Sequence, residues 1–126
     1  MSHLILLRGL PGAGKSTFAE DLGHVSYEAD DWFHIFNDGK FDGALLGEAH
    51  AWCQEETRTS LTAGYNVVVS NTSTTEAEVE VYRRIAEECG VGFYSLVVEN
   101  RHEGKSVHNV PAATIDRMRE RFSIKL

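Results

Sequence analysis

Residues 9–17, which read GLPGAGKST, decide the fold of this chain. They follow the apolar run LILL at 4–7 and lead into a segment with helical character, 16–22, that ends at Gly23. The order of strand, G-x-x-x-x-G-K-[ST] and helix is the context in which this motif forms a phosphate-binding loop. Glycines let the backbone wrap around a phosphate, and the loop N–H groups with the helix N-terminus present partial positive charge to it.

The side chains of this loop predict a site for ATP and Mg²⁺. Lys15 is expected to reach the β- and γ-phosphates, and the Ser16 hydroxyl is expected to bind Mg²⁺. The other loop residues expected to contact the nucleotide are Gly9, Gly12, Ala13, Gly14 and Thr17. A glycine-rich turn without a ligand is the alternative, and the matching strand and helix on either side disfavour it.

Length and composition are those of one globular domain, residues 1–126. The chain is 42% hydrophobic and 25% charged, which is ordinary for a soluble protein. It has no apolar run long enough to span a bilayer and no recognisable signal peptide, so we expect no membrane partner. Cys53 and Cys89 are isolated and lack metal-ligand spacing, which fits buried thiols in a reducing cytoplasm. The sequence leaves the oligomeric state open.

The net charge of −7 is unevenly distributed. Residues 101–126 contain six Lys/Arg and three Asp/Glu, so the rest of the chain is strongly acidic. An acidic body argues against sequence-independent binding of duplex nucleic acid. The basic C-terminal segment is compatible with binding phosphate groups at one place, or with a charged helix facing solvent.

Alternating strand and helix patterns predict a three-layer α/β fold of the P-loop nucleoside-triphosphatase and kinase type. Predicted strands cover 4–7, 24–29, 66–70 and 93–98, and predicted helices cover 16–22, 43–63, 75–89 and a last segment from Pro111. Thr75 and Glu78 form a capping-box signal at the start of the third helix. This alternation implies a mostly parallel sheet of about four strands flanked by helices.

Ligands bind at the carboxyl ends of the strands in such sheets, so the residues after each strand are the candidates for the functional site. Asp30 and Asp31 follow the second strand and are candidates for the acid–base and metal roles of phosphoryl transfer. One aspartate could accept the hydroxyl proton while the other, Asp30, contributes to the metal site. The alternative is that they cap a helix before Trp32.

Other polar and aromatic residues at this edge are candidates for the substrate site. Ser70 ends the third strand where many nucleotide-binding proteins carry a metal-associated aspartate. Asn71 follows it and could bind substrate, or could shape a strand-to-helix turn. Phe33, with Trp32 and Phe36, could form a wall of the acceptor site or pack in the core.

The segment at about 100–122 is predicted to be a mobile lid. Arg101 lies at its hinge, and Arg117 shares a helix face with Arg121, whereas Arg119 points elsewhere. Positive charge that arrives when a lid closes stabilises a triphosphate losing its γ-group and excludes water. We therefore expect Arg101 and Arg117 to contact ATP phosphates, with solvent-exposed arginines as the alternative.

The chain resembles small P-loop kinase-like proteins, of the AAA type, that are related to the kinase domain of phage polynucleotide kinase. The resemblance covers nearly the whole chain. Its motifs are LRGLPGAGKST at 7–17, ADDWF at 29–33, LGEAH at 46–50, VVVSNT at 67–72 and HNVP at 108–111, followed by Ile115, Met118 and Phe122.

The resemblance implies ATP-dependent phosphorylation of a hydroxyl, with single-stranded 5′-hydroxyl nucleic-acid ends as one acceptor class. It implies the general base at Asp31, the phosphate-loop roles at Lys15 and Ser16, and lid roles at Arg101 and Arg117. Two positions depart from the family pattern. Phe33 stands where polynucleotide kinase has an arginine that reads the 3′-phosphate, and Ser70 replaces the aspartate at the strand end.

Three functions therefore remain open at the level of the sequence. The first is transfer of the ATP γ-phosphate to a hydroxyl, including a nucleic-acid 5′ end. The second is a small-molecule kinase with an acceptor pocket built from Trp32, Phe33 and Phe36. The third is an ATP-binding or ATPase module without phosphotransfer; no N-K-x-D element for guanine selection is found.

Overall fold

The computed structural model describes residues 2–73, 75–99 and 110–125. The strands are β1 His3–Arg8, β2 Val25–Tyr27, β3 Val67–Ser70 and β4 Gly92–Val97. The helices are α1 Lys15–Leu22, α2 Asp30–Phe36, α3 Leu46–Thr62, α4 Glu76–Cys89 and α5 Ala112–Arg121, with a 3₁₀ turn at Gly43–Leu45.

The strands form one parallel sheet in the order β2-β3-β1-β4. β1 is central, with Leu7 level with Ser70 of β3 and with Leu96 of β4. The predicted four-stranded sheet is confirmed, and all its described pairings are parallel. Since β1 runs between two partners, its carboxyl end delivers the phosphate-binding loop to the middle of one sheet edge.

Helices cover both faces of the sheet, as the alternation of β1 requires. Leu4 and Leu6 lie in the larger core with side chains of α3 and α4. Leu7 lies on the opposite face with Val68 and Ala19 of α1. These strand side chains are fully buried, which explains why β1 and β3 read as continuous apolar runs.

The helix ends follow the local signals in the sequence. Thr75 Oγ1 accepts a hydrogen bond from the Glu78 N–H at 3.4 Å, and the Glu78 carboxylate accepts one from the Thr75 N–H. This capping box starts α4, as predicted. Gly90 ends the helix with φ 67°, a left-handed conformation that glycine adopts without strain.

Two elements differ from the sequence prediction. β2 is shorter than expected, and a helix, α2, begins directly at Asp30. Its first turn is stabilised because Asp31 Oδ2 accepts a hydrogen bond from the Glu28 N–H at 3.1 Å. α5 also has no fully buried residue, so Ile115, Met118 and Phe122 pack it only partly against the body.

Membrane insertion finds no support in the described part of the chain. None of its helices has the length and hydropathy that crossing a bilayer requires.

Gly9 occupies a position where a side chain does not fit. Its N–H donates to Thr72 O at 3.2 Å, and the neighbouring Val98 N–H donates to Arg8 O at 2.7 Å. A Cβ at Gly9 would lie 2.8 Å from Val98 O and 3.2 Å from the Ala13 Cβ. The loop therefore leaves β1 in close contact with the backbone of the β4 end.

We expect Gly9→Ala to lower the free energy of unfolding by about 1–3 kcal/mol, because backbone must move to admit the methyl group. Gly47→Ala is the matched control, since a Cβ there has no neighbour within 4 Å and the residue lies in α3. Helix propensity predicts that Gly47→Ala stabilises by up to about 1 kcal/mol. Urea unfolding measures the free energy of unfolding of both variants. Equal changes in Gly9→Ala and Gly47→Ala would contradict the steric role of Gly9.

Candidate active site

The loop between β1 and α1 has the backbone geometry of a phosphate cradle. Gly12 and Gly14 have φ values of 85° and 93°, which place them in the left-handed region. The Ala13 N–H donates to Leu10 O at 3.0 Å, and the Phe18 N–H donates to Gly14 O at 3.0 Å. The chain thus curls tightly before α1, whose N-terminus faces the sheet edge.

Lys15 turns its side chain back over the loop. Its Nζ donates to Gly9 O at 2.7 Å and to Leu10 O at 3.1 Å. Burial lowers the pKa of the Lys15 ammonium to about 8, and the negative charges of Glu28 and Asp30 oppose that shift. The ammonium is therefore held by two loop carbonyls, and the negative charges of two acidic residues at the end of β2 act on it.

Ser16 contacts a carboxylate that the sequence analysis did not select. Its Oγ donates to Glu28 Oε2 at 3.2 Å. Glu28 is the first residue after β2, which ends at Tyr27. The strand predicted from the sequence extended to residue 29, so the rule that selected Asp30 and Asp31 did not reach Glu28.

Asp30 and Asp31 occupy different environments. Asp30 is exposed, and its charge acts on Lys15. Asp31 is half-buried, and burial raises the pKa of its carboxyl group, while the hydrogen bond from the Glu28 N–H opposes the shift. Asp31 lies inside α2, and its carboxylate accepts from an N–H that precedes the helix; neither aspartate is the N-cap residue, which is Ala29.

Asn71 is engaged inside the protein. Its Oδ1 accepts a hydrogen bond from the Ala29 N–H at 2.9 Å, and its Nδ2 donates to the Tyr82 hydroxyl at 3.4 Å. A weaker contact joins Nδ2 to the Cys53 sulfur at 3.9 Å. These contacts tie the end of β3 to the turn that carries Asp30, so Asn71 positions this turn. That it also binds substrate stays a prediction.

The donors near Ser16 fit Mg²⁺. Two ligands at 2.0–2.1 Å from an octahedral Mg²⁺ lie about 2.9 Å apart, close to the 3.2 Å between Ser16 Oγ and the Glu28 carboxylate. Ser70 Oγ, at the end of β3, is buried without a hydrogen-bond partner among the described residues. Alternation from Val68 places Ser70 on the α1 face of the sheet.

The acidic residues do not form a complete metal cage by themselves. No group of three or more His, Cys, Asp or Glu side chains within 2–73, 75–99 and 110–125 is arranged to hold a metal ion. Mg²⁺ is typically bound by one or two carboxylates together with substrate phosphates and water. The oxygen donors here match that sparse coordination.

A cavity of about 510 Å³ lies between the loop, the end of β4 and α5. It is lined by loop residues 9–13, by Val97, Val98 and Glu99, and by Ile115, Arg119, Phe122 and Ile124. Its walls combine apolar side chains with Glu99, Arg119 and the backbone of the phosphate-binding loop.

The arginine on this cavity is Arg119 rather than Arg117. Arg119 is four residues after Ile115 and three before Phe122, so all three share one helix face. Arg117 is exposed and donates to Thr114 Oγ1 at 3.1 Å. Arg119 thus lies on a different helix face from Arg117, and the cavity lies on the Arg119 face. Arg101 and the predicted hinge lie outside the described residues.

Phe33 is only 3% exposed and lies in a small core with Ala29 and Ala49. The rings of Trp32 and Phe41 each lie 5.2 Å from it and cover it. The structure therefore brings Phe33 to the packing side of α2, and the prediction that it contacts substrate gains no support. Phe41 contacts Phe33 from the solvent side, and the Phe36 ring, which lies 5.7 Å from that of Trp32, is also exposed.

Arg8 is a buried arginine that the sequence analysis passed over. Its guanidinium donates to Ser73 O through Nε at 2.8 Å and to Ser123 O, and it lies 3.5 Å from the Glu76 carboxylate. The Phe122 ring stacks on it at 4.9 Å. This one side chain attaches the end of α5 to the strand that carries the loop.

The family follows from comparison with known proteins. The model of the AAA-domain family matches residues 4–124, so the chain belongs to that family. Human NEDD4-binding protein 2 is 34% identical over 90 residues, which are 67% of this chain and 5% of that protein. The chain thus spans a small fraction of this relative's length.

Solved structures show the P-loop kinase fold. A chain of the Pnkp1/Rnl/Hen1 RNA repair complex superposes with a TM-score of 0.76 at 18% identity, covering 96% of this chain and 44% of that one. The APS kinase of Mycobacterium tuberculosis has a TM-score of 0.61 at 16% identity, covering 95% of this chain and 96% of that one. A sugar kinase from Janibacter sp. HTCC2649 superposes with a TM-score of 0.67 at 15% identity, covering 100% of this chain and 80% of that one. The predicted relationship to P-loop kinase-like proteins is confirmed.

Removing the Arg8 guanidinium should loosen the attachment of α5. We expect Arg8→Met to lower the free energy of unfolding by about 2–4 kcal/mol, because buried carbonyl and carboxylate partners lose their donor. It should also raise hydrogen exchange in residues 110–125. Arg84→Met is the matched control, since Arg84 is 70% exposed and pairs only with Glu80 among the described salt bridges. Similar effects of both variants would refute the role of Arg8.

Proposed function

We propose that the protein is an ATP-dependent phosphotransferase that moves the γ-phosphate of ATP to an acceptor hydroxyl. The observation that supports this most is the environment of Lys15, whose ammonium donates to two carbonyls of the phosphate-binding loop and is subject to the negative charges of Glu28 and Asp30 after β2. Phosphate binding on one side and proton acceptance on the other are the two requirements of phosphoryl transfer to a hydroxyl.

On the ATP side, the loop N–H groups and Lys15 bind the β- and γ-phosphates. Ser16 and Glu28 would hold Mg²⁺, and Asp30, which the sequence analysis placed at the metal, is assigned to the acceptor side instead. When bound, Mg²⁺ neutralises charge on the phosphates and on the leaving group. The cavity beside the loop suits the nucleoside, and Arg119 on its wall takes the lid role predicted for Arg117. Arg101 remains a predicted phosphate contact.

On the acceptor side, Asp30 is our candidate for the general base. The resemblance implied Asp31, but one Asp31 oxygen already accepts the hydrogen bond that starts α2. Asp30 is exposed and acts electrostatically on Lys15, so its carboxylate can meet a hydroxyl next to the transferred phosphate. Asp31 and Asn71 then keep the turn in place.

Two acceptor classes follow from the similarities. The resemblance to polynucleotide kinase and the likeness to a chain of an RNA repair complex favour a 5′-hydroxyl nucleic-acid end. The likeness to APS and sugar kinases favours a small hydroxyl compound. An ATP-binding module without transfer is the third possibility, and the paired carboxylates beside Lys15 argue against it.

Transfer of labelled γ-phosphate from Mg·ATP tests the function, with 5′-hydroxyl oligonucleotides and small hydroxyl compounds as acceptors. We expect Lys15→Ala and Asp30→Asn each to lower kcat by at least about 10²-fold, since one removes phosphate stabilisation and the other the base. Asp31→Asn should lower stability more than kcat.

These variants also separate the alternatives. If the unsubstituted protein transfers phosphate to no acceptor, and Asp30→Asn and Asp31→Asn hydrolyse ATP as it does, the protein is an ATP-binding module without phosphotransfer. Loss of transfer in Asp31→Asn with normal stability, and full transfer in Asp30→Asn, would return the base to Asp31.

The lowered pKa of Lys15 predicts that ATP binding depends on pH. Below about pH 8 the ammonium is protonated and attracts phosphate; above it, binding must recapture a proton. We expect the Kd for ATP to rise towards about tenfold per pH unit above pH 8. Lys15→Arg should flatten this profile because a guanidinium stays charged. Titration calorimetry between about pH 7 and 9.5 measures both, and a flat profile for the unsubstituted protein would contradict the assignment.

A further inference from the structure

Ser70 ends β3 with a buried hydroxyl group that makes no hydrogen bond within the described structure. The side chain is 4% exposed, and its Oγ has no partner among residues 2–73, 75–99 and 110–125. A buried hydroxyl without a partner costs free energy, and a water, an ion or a ligand is the partner that completes such a group. The family pattern has a metal-associated aspartate at this strand end, and a hydroxyl does not replace its charge.

The register of the sheet places Ser70 beside Glu28. β2 and β3 are parallel with Tyr27 level with Val69, so Glu28 and Ser70 come next at neighbouring positions. Neighbouring strands lie about 4.8 Å apart, and level residues point to the same face of the sheet. Ser70 is two residues after Val68, which packs against α1, so both polar side chains lie on the α1 face.

The Glu28 carboxylate also reaches the first turn of α1, where it accepts the hydrogen bond from Ser16 Oγ at 3.2 Å. Burial lowers the pKa of Lys15, and the negative charge of Glu28 opposes that shift, so the carboxylate acts on the group that binds phosphate. Oxygen donors from α1, β2 and β3 thus lie on the same face beside the phosphate-binding loop, and among Ser16, Glu28 and Ser70 the charge is on Glu28.

A carboxylate on Glu28 explains why a hydroxyl suits position 70. Two carboxylates at neighbouring register positions repel each other, and burial strengthens the repulsion because water screens it less. Mg²⁺ in nucleotide sites needs one or two carboxylates, since phosphate and water oxygens supply its other ligands. The Ser70 hydroxyl adds no charge, and it can donate or accept a hydrogen bond at the hydration shell of an ion held by Glu28.

Glu28 belongs to the turn at residues 28–31, named here the acceptor turn because it carries the candidate base. The Glu28 N–H donates to Asp31 Oδ2 at 3.1 Å, and the Glu28 carbonyl oxygen accepts from the Asp31 N–H at 3.1 Å. The next N–H, that of Ala29, donates to Asn71 Oδ1 at 2.9 Å. Asp30 lies between these anchored residues, so a ligand that holds the Glu28 side chain also restrains the backbone of Asp30.

We infer that Glu28 supplies at the end of β2 the metal carboxylate that the family pattern places at the end of β3, that Ser70 supports it by bonding to the hydration shell of the ion, and that metal binding thereby fixes the acceptor turn. The inference rests on the proposed function, whose metal ligands are Ser16 and Glu28, and adds how its nucleotide side controls its acceptor side. An acceptor then meets an ordered Asp30 only after Mg·ATP has bound.

Nucleotide affinity with and without metal tests the role of Glu28 in the full chain. Titration calorimetry gives the Kd for a non-hydrolysable ATP analogue in Mg²⁺ and in EDTA. Mg²⁺ should tighten binding to the unsubstituted protein by at least about tenfold, and Glu28→Gln should lose most of this enhancement. In EDTA, Glu28→Gln should bind the analogue as tightly or more tightly, because a negative charge near the phosphates is gone. Glu20→Gln, at an exposed glutamate of α1, is the matched control and should change neither Kd.

Ser70→Ala distinguishes a hydroxyl that serves a ligand from one that serves the fold. Without metal, the thermal midpoint should stay the same or rise, because the hydroxyl has no partner to lose. The Mg²⁺ enhancement of analogue binding should fall by about tenfold. Ser60→Ala is the matched control, since this buried serine is hydrogen-bonded to the Tyr27 hydroxyl at 2.7 Å. It should lower the midpoint and leave the enhancement unchanged.

Hydrogen exchange of the acceptor turn tests the coupling. The amides of Glu28, Ala29 and Asp31 should exchange severalfold more slowly with the analogue and Mg²⁺ than with the analogue and EDTA. Combining Glu28→Ser with Ser70→Asp moves the carboxylate to β3. This double variant should keep the Mg²⁺ enhancement of affinity and lose the metal-dependent protection of the turn. If it does not fold, Glu28→Gln decides the matter, since it should lose that protection too.

The outcomes separate the inference from the proposed function. If Mg²⁺ tightens binding through Glu28 and no acceptor is phosphorylated, the proposed transfer fails and the inference stands. If phosphate is transferred while Glu28→Gln keeps the full Mg²⁺ enhancement, the inference is overturned and the function stands. A lower midpoint in Ser70→Ala, equal effects of Glu28→Gln and Glu20→Gln, or turn protection that is independent of Mg²⁺ overturns the inference as well. A chain that does not bind the analogue at all overturns both.

Discussion

The side-chain amide of Asn71 holds the two halves of the candidate active site together. The phosphate-binding loop leaves β1, whereas the acidic residues follow β2 at the other side of β3. Asn71, at the end of β3, accepts the hydrogen bond from the Ala29 N–H and is itself fixed by the Tyr82 hydroxyl. A hydrogen bond of this kind contributes only about 1 kcal/mol, but it sets where the carboxylates lie relative to Lys15.

Much of the fold could be predicted because its signals are local. A fully buried parallel strand has to be apolar throughout, and a loop that wraps phosphate needs glycine at fixed positions. The capping box at Thr75 is likewise written into four consecutive residues. Such features depend on neighbours in the chain, so one sequence is enough to reveal them.

The contacts that the sequence did not reveal join residues that are distant along the chain. The sequence shows Asn71 as a polar residue at a strand end, but it does not show its hydrogen bonds with Ala29 and Tyr82. It shows Phe33 as an aromatic residue near the site, but not that the ring of Phe41, eight residues further on, packs against it. The face of α5 that meets the loop depends on how Arg8 anchors Phe122, which helical spacing alone does not reveal. Tertiary contacts decided each of these cases.

The hydrogen bonds of Lys15 to its own loop compete with its binding of a ligand phosphate. Its ammonium donates to two carbonyls of the same loop, so any anion that recruits Lys15 must displace these internal acceptors. Hydrogen bonds that involve a charged group contribute about 1.5–3 kcal/mol each, which sets a threshold for entry. We expect weakly bound monoanions such as chloride to fall below that threshold and a chelating polyphosphate to exceed it. On this argument the loop favours ligands with several phosphates, whatever base they carry.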